Sequence, residues 1–188
     1  MLKTILVHVD GGPCQESRLR AAALLAGAHD AHLVGSAATG LSMASYAVLN
    51  GSMAMPVSNR EFQELRDAVT TLLDDFVTQA GRLGIHGAEA RMVEDADRDG
   101  LLLQARYADL VVVSQDHGRS RATTARGLPQ YLALHGARPV LVVPDSYHGK
   151  PIPGDALGRL GRQHASPARD QRRPATAGPG RHRAPGAR

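Results

Sequence analysis

Short apolar runs alternate along this chain with longer segments whose apolar residues recur every three or four positions. Runs at residues 3–9, 31–37, 110–113 and 140–143 are rich in aliphatic side chains and too short to be helices of their own. Residues 86–93 contain a further run, which is less apolar than the others. Continuous apolar runs of this length are typical of strands that are buried on both faces of a parallel sheet.

The periodic segments predict helices at residues 17–29, 60–84 and 128–135, with a further helix opening at the acidic cluster of residues 94–99. The clearest is 60–84, where Phe62, Val69, Leu73 and Phe76 share one face. Residues 39–59 show no clear period, and we expect a long loop there, with at most one helical turn. Strands alternating with helices predict an α/β fold: a three-layer α/β/α sandwich around a five-stranded, mainly parallel sheet.

The segment at residues 108–144 contains the first place to look for a binding site. It consists of an apolar run, a polar loop at 114–127 that contains glycine, a helix and a second apolar run. This order predicts a βαβ unit. Ligands of open α/β sheets bind where loops leave the carboxyl ends of strands and enter helix N-termini, so the loop is the candidate.

The residues of this segment resemble the end of a universal stress protein (UspA) domain. His117, Gly118, Arg119 and Ser120 follow the first strand, and the segment closes with R-P-V-L-V-V-P at residues 138–144. The resemblance covers about residues 1–144 and includes a first strand that ends at Asp10 before a helix. It implies a Rossmann-like fold, similar to the adenine nucleotide alpha hydrolases, in a domain of residues 1–145.

The resemblance also implies a site for an adenine nucleotide such as ATP. Nucleotide-binding members of the family have the pattern G-x-x-G-x9-G-[ST] after this strand. Here Gln115 stands at the first Gly, eight residues separate Gly118 from Gly127, and Leu128 stands at the Ser or Thr. The residues that the resemblance assigns to the site are Asp10 on the adenine side and, in the loop, Gln115, Gly118, Arg119, Ser120 and Gly127.

Two functions stay open at this point. The first is a stress-response or regulatory module that binds an adenine nucleotide through a degenerate phosphate loop. The second is a protein of the same fold that binds no nucleotide and acts by dimerisation or partner binding; Asp10 then only starts a turn and caps the next helix. The sequence marks no nucleophile, and its nine His residues form no H-E-x-x-H motif. We therefore expect neither an enzyme nor a metal site, with weak ATP hydrolysis as an alternative.

Three further residues carry chemical hypotheses. Asp116 and His117 are adjacent in the loop, a pair of the kind that performs general acid–base work. Neighbours in sequence rarely form a useful hydrogen bond, so we favour a simple loop position for both. Cys14, the single cysteine, precedes the first predicted helix, where a thiol pKa can fall. We favour the alternative, a small side chain that is exposed or half-buried and has no chemical role.

The last apolar run predicts how copies of the chain associate. In the expected strand order, Val140–Val143 forms an edge of the sheet, and an uncovered apolar edge pairs readily with another chain. Universal stress proteins often dimerise through this strand, so the resemblance implies a homodimer. No secretory signal opens the sequence and no apolar run is long enough to span a bilayer, so we expect a cytoplasmic protein that does not contact membranes.

The net charge of +4 comes from the last part of the chain. From residue 149 onward there are nine Lys or Arg and two Asp, whereas the preceding part is acidic overall. Residues 146–188 are rich in Arg, Pro, Gly and Ala, a composition that predicts a disordered tail. The alternative is a frameshifted remnant of a second domain, because GC-rich DNA that is translated out of frame gives a similar amino-acid composition. Nucleic acid is expected to bind non-specifically through this tail, if at all.

Overall fold

The alternating pattern produces one parallel sheet of five strands. A computed structural model describes residues 1–51, 59–116, 127–150 and Ile152. Its strands are β1 (Thr4–His8), β2 (His32–Ala38), β3 (Glu89–Val93), β4 (Leu110–Ser114) and β5 (Val140–Val143). They lie in the order β3-β2-β1-β4-β5, and all four pairings are parallel. The predicted three-layer α/β fold, with β1 in the centre of the sheet, is confirmed.

The described helices cover both faces of the sheet. They are α1 (Gln15–His29), α2 (Met43–Gly51), α3 (Asn59–Arg82), α4 (Asp97–Ala105) and α5 (Leu128–His135). One apolar cluster joins α1 and α3 to one face of the sheet, and a second joins α4 and α5 to the other. None of the described helices combines the length and the apolar character that a membrane-spanning helix requires.

A glycine in β2 lets α3 pack closely on the sheet. A Cβ atom built on Gly35 would overlap the ring of Phe76, which is fully buried. The ring therefore lies directly on the backbone of the strand. Aromatic residues are scarce in this chain, and Phe76 is the largest apolar side chain among the fully buried residues that the structure describes.

The expected loop at residues 39–59 is wrong for its first part, because α2 forms at Met43–Gly51. The hydroxyl oxygen of Ser42 accepts a hydrogen bond from the backbone N–H of Ser45 at 3.0 Å, which satisfies one of the free donors of the first turn. Residues 43–51 carry no charge, and the good helix formers among them are Met43, Ala44, Ala47 and Leu49. Residues 52–58 of the expected loop lie outside the described residues.

Strand β5 forms one edge of the sheet, as predicted. After it, the chain turns back onto α1, where the backbone oxygen of Asp145 accepts a hydrogen bond from the hydroxyl of Ser17 at 3.3 Å. Tyr147 and Ile152 pack against the apolar cluster beneath α1. The start of the predicted tail thus contacts the domain, whereas residues 153–188 lie outside the described part of the chain. The boundary at residue 145 stays a prediction.

Candidate functional site at the switch point of the sheet

β1 and β4 lie side by side at the point where the strand order reverses, because the chain adds β2 and β3 on one side of β1 and then β4 and β5 on the other. Strand β1 leads to α1 on one face, and β4 leads to α5 on the other. The crevice outside the carboxyl ends of two such strands is the usual ligand site of open α/β sheets. Asp10 follows β1, and Gln115 and Asp116 follow β4. The topology therefore brings the predicted site residues of both strands to one edge.

The turn between β1 and α1 is closed by its own side chains. Gln15 accepts hydrogen bonds through Oε1 from the backbone N–H groups of Asp10 at 3.2 Å and Gly11 at 2.7 Å. The Oδ1 atom of Asp10 accepts the N–H of Gly12 at 3.0 Å. Gly11 adopts a φ of 64°, a conformation that favours glycine. The consecutive N–H groups of this turn are thus already bonded within the protein.

A buried arginine crosses the crevice between the two strands. Arg18 of α1 is 1% exposed and donates a hydrogen bond to Asp10 Oδ1 at 2.5 Å and another to Ser114 Oγ at 2.9 Å. Its Nε atom has no hydrogen-bond partner among the described residues. One side chain therefore ties the end of β1 to the end of β4, and its charge is neutralised by Asp10.

The charges of this cluster are set by burial and by Arg18. Desolvation would raise the pKa of Asp10, but the charge of Arg18, the neighbouring His8 and the hydrogen bonds from Arg18 and Gly12 hold it at about 2. Burial, together with the charge of Arg18, lowers the pKa of His8 to about 4, against the opposing effect of Asp10. At neutral pH, Asp10 is ionised and His8 is uncharged. The side chain of Asp10 is 38% exposed, so the carboxylate can still reach a ligand.

The second half of the site surrounds the start of α5. Gly127 precedes this helix with a φ of 68°, and its backbone N–H donates to Asp116 Oδ2 at 2.6 Å. The guanidinium of Arg98 lies beside it, with one terminal nitrogen 3.6 Å from the place where a Cβ of residue 127 would be. Arg98 also stacks on Tyr131, 5.6 Å from the ring centroid. A carboxylate thus occupies the helix N-terminus next to a cation.

Solved structures of similar shape support the same fold. A universal stress protein in complex with cAMP superposes with a TM-score of 0.56 at 22% identity, covering 77% of this chain and 98% of that one. The universal stress protein UspA of Lactobacillus plantarum superposes with a TM-score of 0.57 at 15% identity, covering 75% of this chain and 97% of that one. This chain has the universal stress protein fold. A protein of the universal stress protein family from Burkholderia pseudomallei superposes with a TM-score of 0.57 at 23% identity, covering 76% of this chain and 96% of that one. No protein-family model and no curated protein matches the chain.

Within this universal stress protein fold, three of the predicted site residues lie at the switch point. They are Asp10, Gln115 and Gly127. Gln115 is exposed, and its backbone N–H donates to the carbonyl of Val143 at 2.9 Å. Gly118, Arg119 and Ser120 lie outside the described residues, as does His117, so the structure does not test whether His117 and Asp116 form a pair.

Sequence reasoning missed Arg18, Gln15 and Arg98. A signal for Arg18 was available, because it precedes Ala22 and Leu25 at helical spacing and therefore lies on the buried stripe of α1. A charged residue on such a stripe needs a buried partner. Arg98 gave no such signal, since its relation to Gly127 depends on how α4 and α5 pack.

The surroundings of Cys14 favour the unreactive reading of this residue. Cys14 precedes α1, but its thiol donates a hydrogen bond to Asp145 Oδ1 at 2.9 Å. Desolvation, the hydrogen bond and the negative charge of Asp145 raise the pKa of Cys14 to about 11. The thiolate fraction at neutral pH is therefore very small.

A separate opening lies beside the switch point. A cavity of about 550 Å³ separates α1 from α3 and shares Gly11 and Gly12 with the β1–α1 turn. Leu19 and Leu72 line its apolar part, while charged residues of both helices surround them. Neither Asp10 nor Gly127 lines this cavity. The candidate site is thus defined by its polar groups and by the topology, since Arg18 occupies the crevice.

The buried His8 predicts an acid sensitivity of the fold. The unfolded chain takes up this proton below about pH 6.5, whereas the folded protein resists it until about pH 4. Stability should therefore fall as the pH drops from 6.5 towards 4, by about 2–3 kcal/mol between pH 7 and 4.5. Asp10 contributes little in this window, because its pKa of about 2 and its ordinary value both lie below it.

Urea unfolding at several pH values measures this dependence. A His8→Leu variant removes the titrating group and should show a clearly flatter pH profile between 7 and 4.5. An equally steep profile in the variant would assign the acid sensitivity to other groups.

Proposed function

We propose that this protein is a universal stress protein-like regulatory module that binds an adenine-containing ligand at the switch point. Asp10 contacts the base or the ribose, because an ionised carboxylate at the carboxyl end of the central strand accepts hydrogen bonds from amino and hydroxyl groups. The exposed, ionised carboxylate of Asp10 is the observation that carries the proposal. It is a binding module rather than an enzyme.

Two further observations support the proposal. The universal stress protein that was solved with cAMP has the same fold over nearly its whole length. The arginine that crosses the crevice holds Asp10 through Oδ1, and the second carboxylate oxygen, Oδ2, lies 3.8 Å from His8 Nδ1, beyond hydrogen-bond distance. The assignment of Gly118, Arg119, Ser120 and Gly127 to the phosphates of ATP stays a prediction.

Calorimetric titration of the full chain with ATP, cAMP and adenosine tests the proposal, with guanosine as the control ligand. We expect at least one adenine compound to bind in the micromolar range. The matched variant is Asp10→Asn, which keeps an oxygen for Arg18 and Gly12 but loses the charge, and it should weaken binding at least tenfold. No binding of any adenine compound at millimolar concentration would contradict the proposal, as would equal affinity in the variant.

A second candidate function is interaction without a nucleotide, through the edge strand β5. Val142 in this strand is 43% exposed, which is unusual for an aliphatic residue in a parallel sheet. We propose that two copies associate along this edge, as the resemblance implies. Sedimentation of the full chain would reveal a dimer, and Val142→Lys should shift it to monomer if the edge forms the interface.

A further inference from the structure

We infer that the residues after β5 form a strap that opens as a unit, and that a ligand at the switch-point site holds this strap closed. The strap consists of residues 144–150 and Ile152. It contacts the first turn of α1, at the same edge of the sheet as Asp10. The opening is a property of the fold, whereas the response to a ligand rests on the proposed function.

The strap is organised by hydrogen bonds of its own. The backbone N–H of Tyr147 donates to the carbonyl of Pro144 at 3.1 Å, and the Tyr147 hydroxyl donates to the carbonyl of Lys150 at 2.7 Å. Gly149 adopts a φ of 84°, a left-handed conformation that favours glycine. Because these contacts lie within the strap, it can leave the domain without losing them.

The described contacts between the strap and the domain are weak. Asp145 is exposed, and it accepts the thiol of Cys14 through Oδ1 at 2.9 Å and the hydroxyl of Ser17 through its carbonyl at 3.3 Å. Tyr147 and Ile152 pack against the apolar cluster but stay half-buried. Hydrogen bonds at exposed positions gain little, because water competes for the same groups. Segments that bury so little surface open locally while the core stays folded.

The first turn of α1 connects the strap to the switch-point site. The carbonyl of Cys14 accepts hydrogen bonds from the N–H of Arg18 at 3.1 Å and from Ser114 Oγ at 3.4 Å. Arg18 in turn holds Asp10 and Ser114. The closed strap therefore fixes the turn that positions the carboxylate of the proposed ligand site. A ligand that needs Asp10 in this position binds the closed form better and shifts the population towards it.

The reactivity of Cys14 measures strap opening, because it is the single cysteine of the chain. With a chromogenic disulfide reagent, the folded full chain should react about a hundredfold more slowly than the chain in urea, since an open state of about 1% limits the reaction. Tyr147→Ala removes an apolar anchor of the strap and should raise the rate about tenfold. Ile152→Ala, which removes the other anchor, repeats the measurement.

The matched control is Tyr107→Ala, the same substitution at a tyrosine that is 73% exposed and not part of the strap. Its rate should equal that of the wild type. Circular dichroism and urea unfolding of each variant show whether its fold is intact, so that global unfolding is not mistaken for strap opening.

Adenosine supplies the second measurement. At ten times its dissociation constant, it should slow the reaction of Cys14 in the wild type about tenfold, because it stabilises the closed form by that factor. Guanosine should have no effect. In Asp145→Ala, the strap has lost its bonds to Cys14 and Ser17. Adenosine at ten times the constant measured for this variant should then leave the rate unchanged.

The outcomes separate this inference from the proposed function. Equal rates in the wild type, Tyr147→Ala and Ile152→Ala would overturn the opening of the strap, as would an equal rise in Tyr107→Ala. Slowing by adenosine that persists in Asp145→Ala would show that the ligand shields the thiol directly, which overturns the coupling. If no adenine compound binds, the proposed function fails and the ligand response fails with it, whereas the rates without ligand still decide whether the strap opens.

Discussion

Replacing Phe76 by alanine is expected to destabilise the domain by about 3–5 kcal/mol, a large part of the stability of a typical domain. The ring is fully buried and rests on Gly35, so its removal leaves a cavity between α3 and β2 that neither backbone can fill. Chemical denaturation followed by circular dichroism measures the loss.

The same helix offers a matched control for this measurement. Leu65 lies on α3 but is 39% exposed, so Leu65→Ala should cost about 1 kcal/mol or less. Phe76→Leu should fall between the two, because it retains part of the buried volume. Equal losses in Phe76→Ala and Leu65→Ala would show that the packing of α3 on the sheet does not contribute as the structure indicates.

The second large effect is expected at the ion pair between Arg18 and Asp10. Asp10→Ala leaves the buried guanidinium with Ser114 as its single described hydrogen-bond partner. Breaking a fully buried pair costs several kcal/mol, but Asp10 is 38% exposed and water screens part of the loss. We therefore expect a destabilisation of about 1–3 kcal/mol in urea unfolding.

A double-mutant cycle separates the ion pair from other effects of the substitution. Arg18→Met removes the buried charge and retains much of the apolar volume, so it should be close to neutral. In the Arg18→Met background, Asp10→Ala should cost much less than it does alone. Additive losses would show that Arg18 and Asp10 do not stabilise each other. The cycle also shows why Asp10→Asn is the better variant for binding studies, since it keeps an acceptor for Arg18.

The architecture was predictable because strong local patterns determine it. The observed bounds of α5 and β5 coincide with the predicted ones. Gly127, in the left-handed conformation, precedes the helix, and a short Val-rich segment forms the strand. Helix α2 was missed, because its residues lack the polar and apolar period that identifies a surface helix. Its start was marked by Ser42, a helix-capping residue, but a Ser also suits a loop.

The candidate site was predictable in position and less so in detail. The location of Asp10 and Gln115 follows from the rule that ligands bind at the carboxyl ends of strands. The contacts that fill the site depend on side chains from other elements, such as Arg18 reaching Ser114 and Arg98 reaching Gly127. These contacts join residues far apart in the sequence, so no local pattern indicates them.

The central position of β1 has a consequence for the order in which the molecule assembles. Ile5 pairs with Leu33 on one side and with Leu110 on the other. During synthesis, β2 emerges soon after β1, but β4 follows only after three further helices and β3. Until then, the other edge of β1 is an open, apolar template for pairing with a foreign strand. A nascent chain at this stage should be the form most prone to aggregate and the one that chaperones bind, and its completion should be slow compared with a helical bundle of equal length.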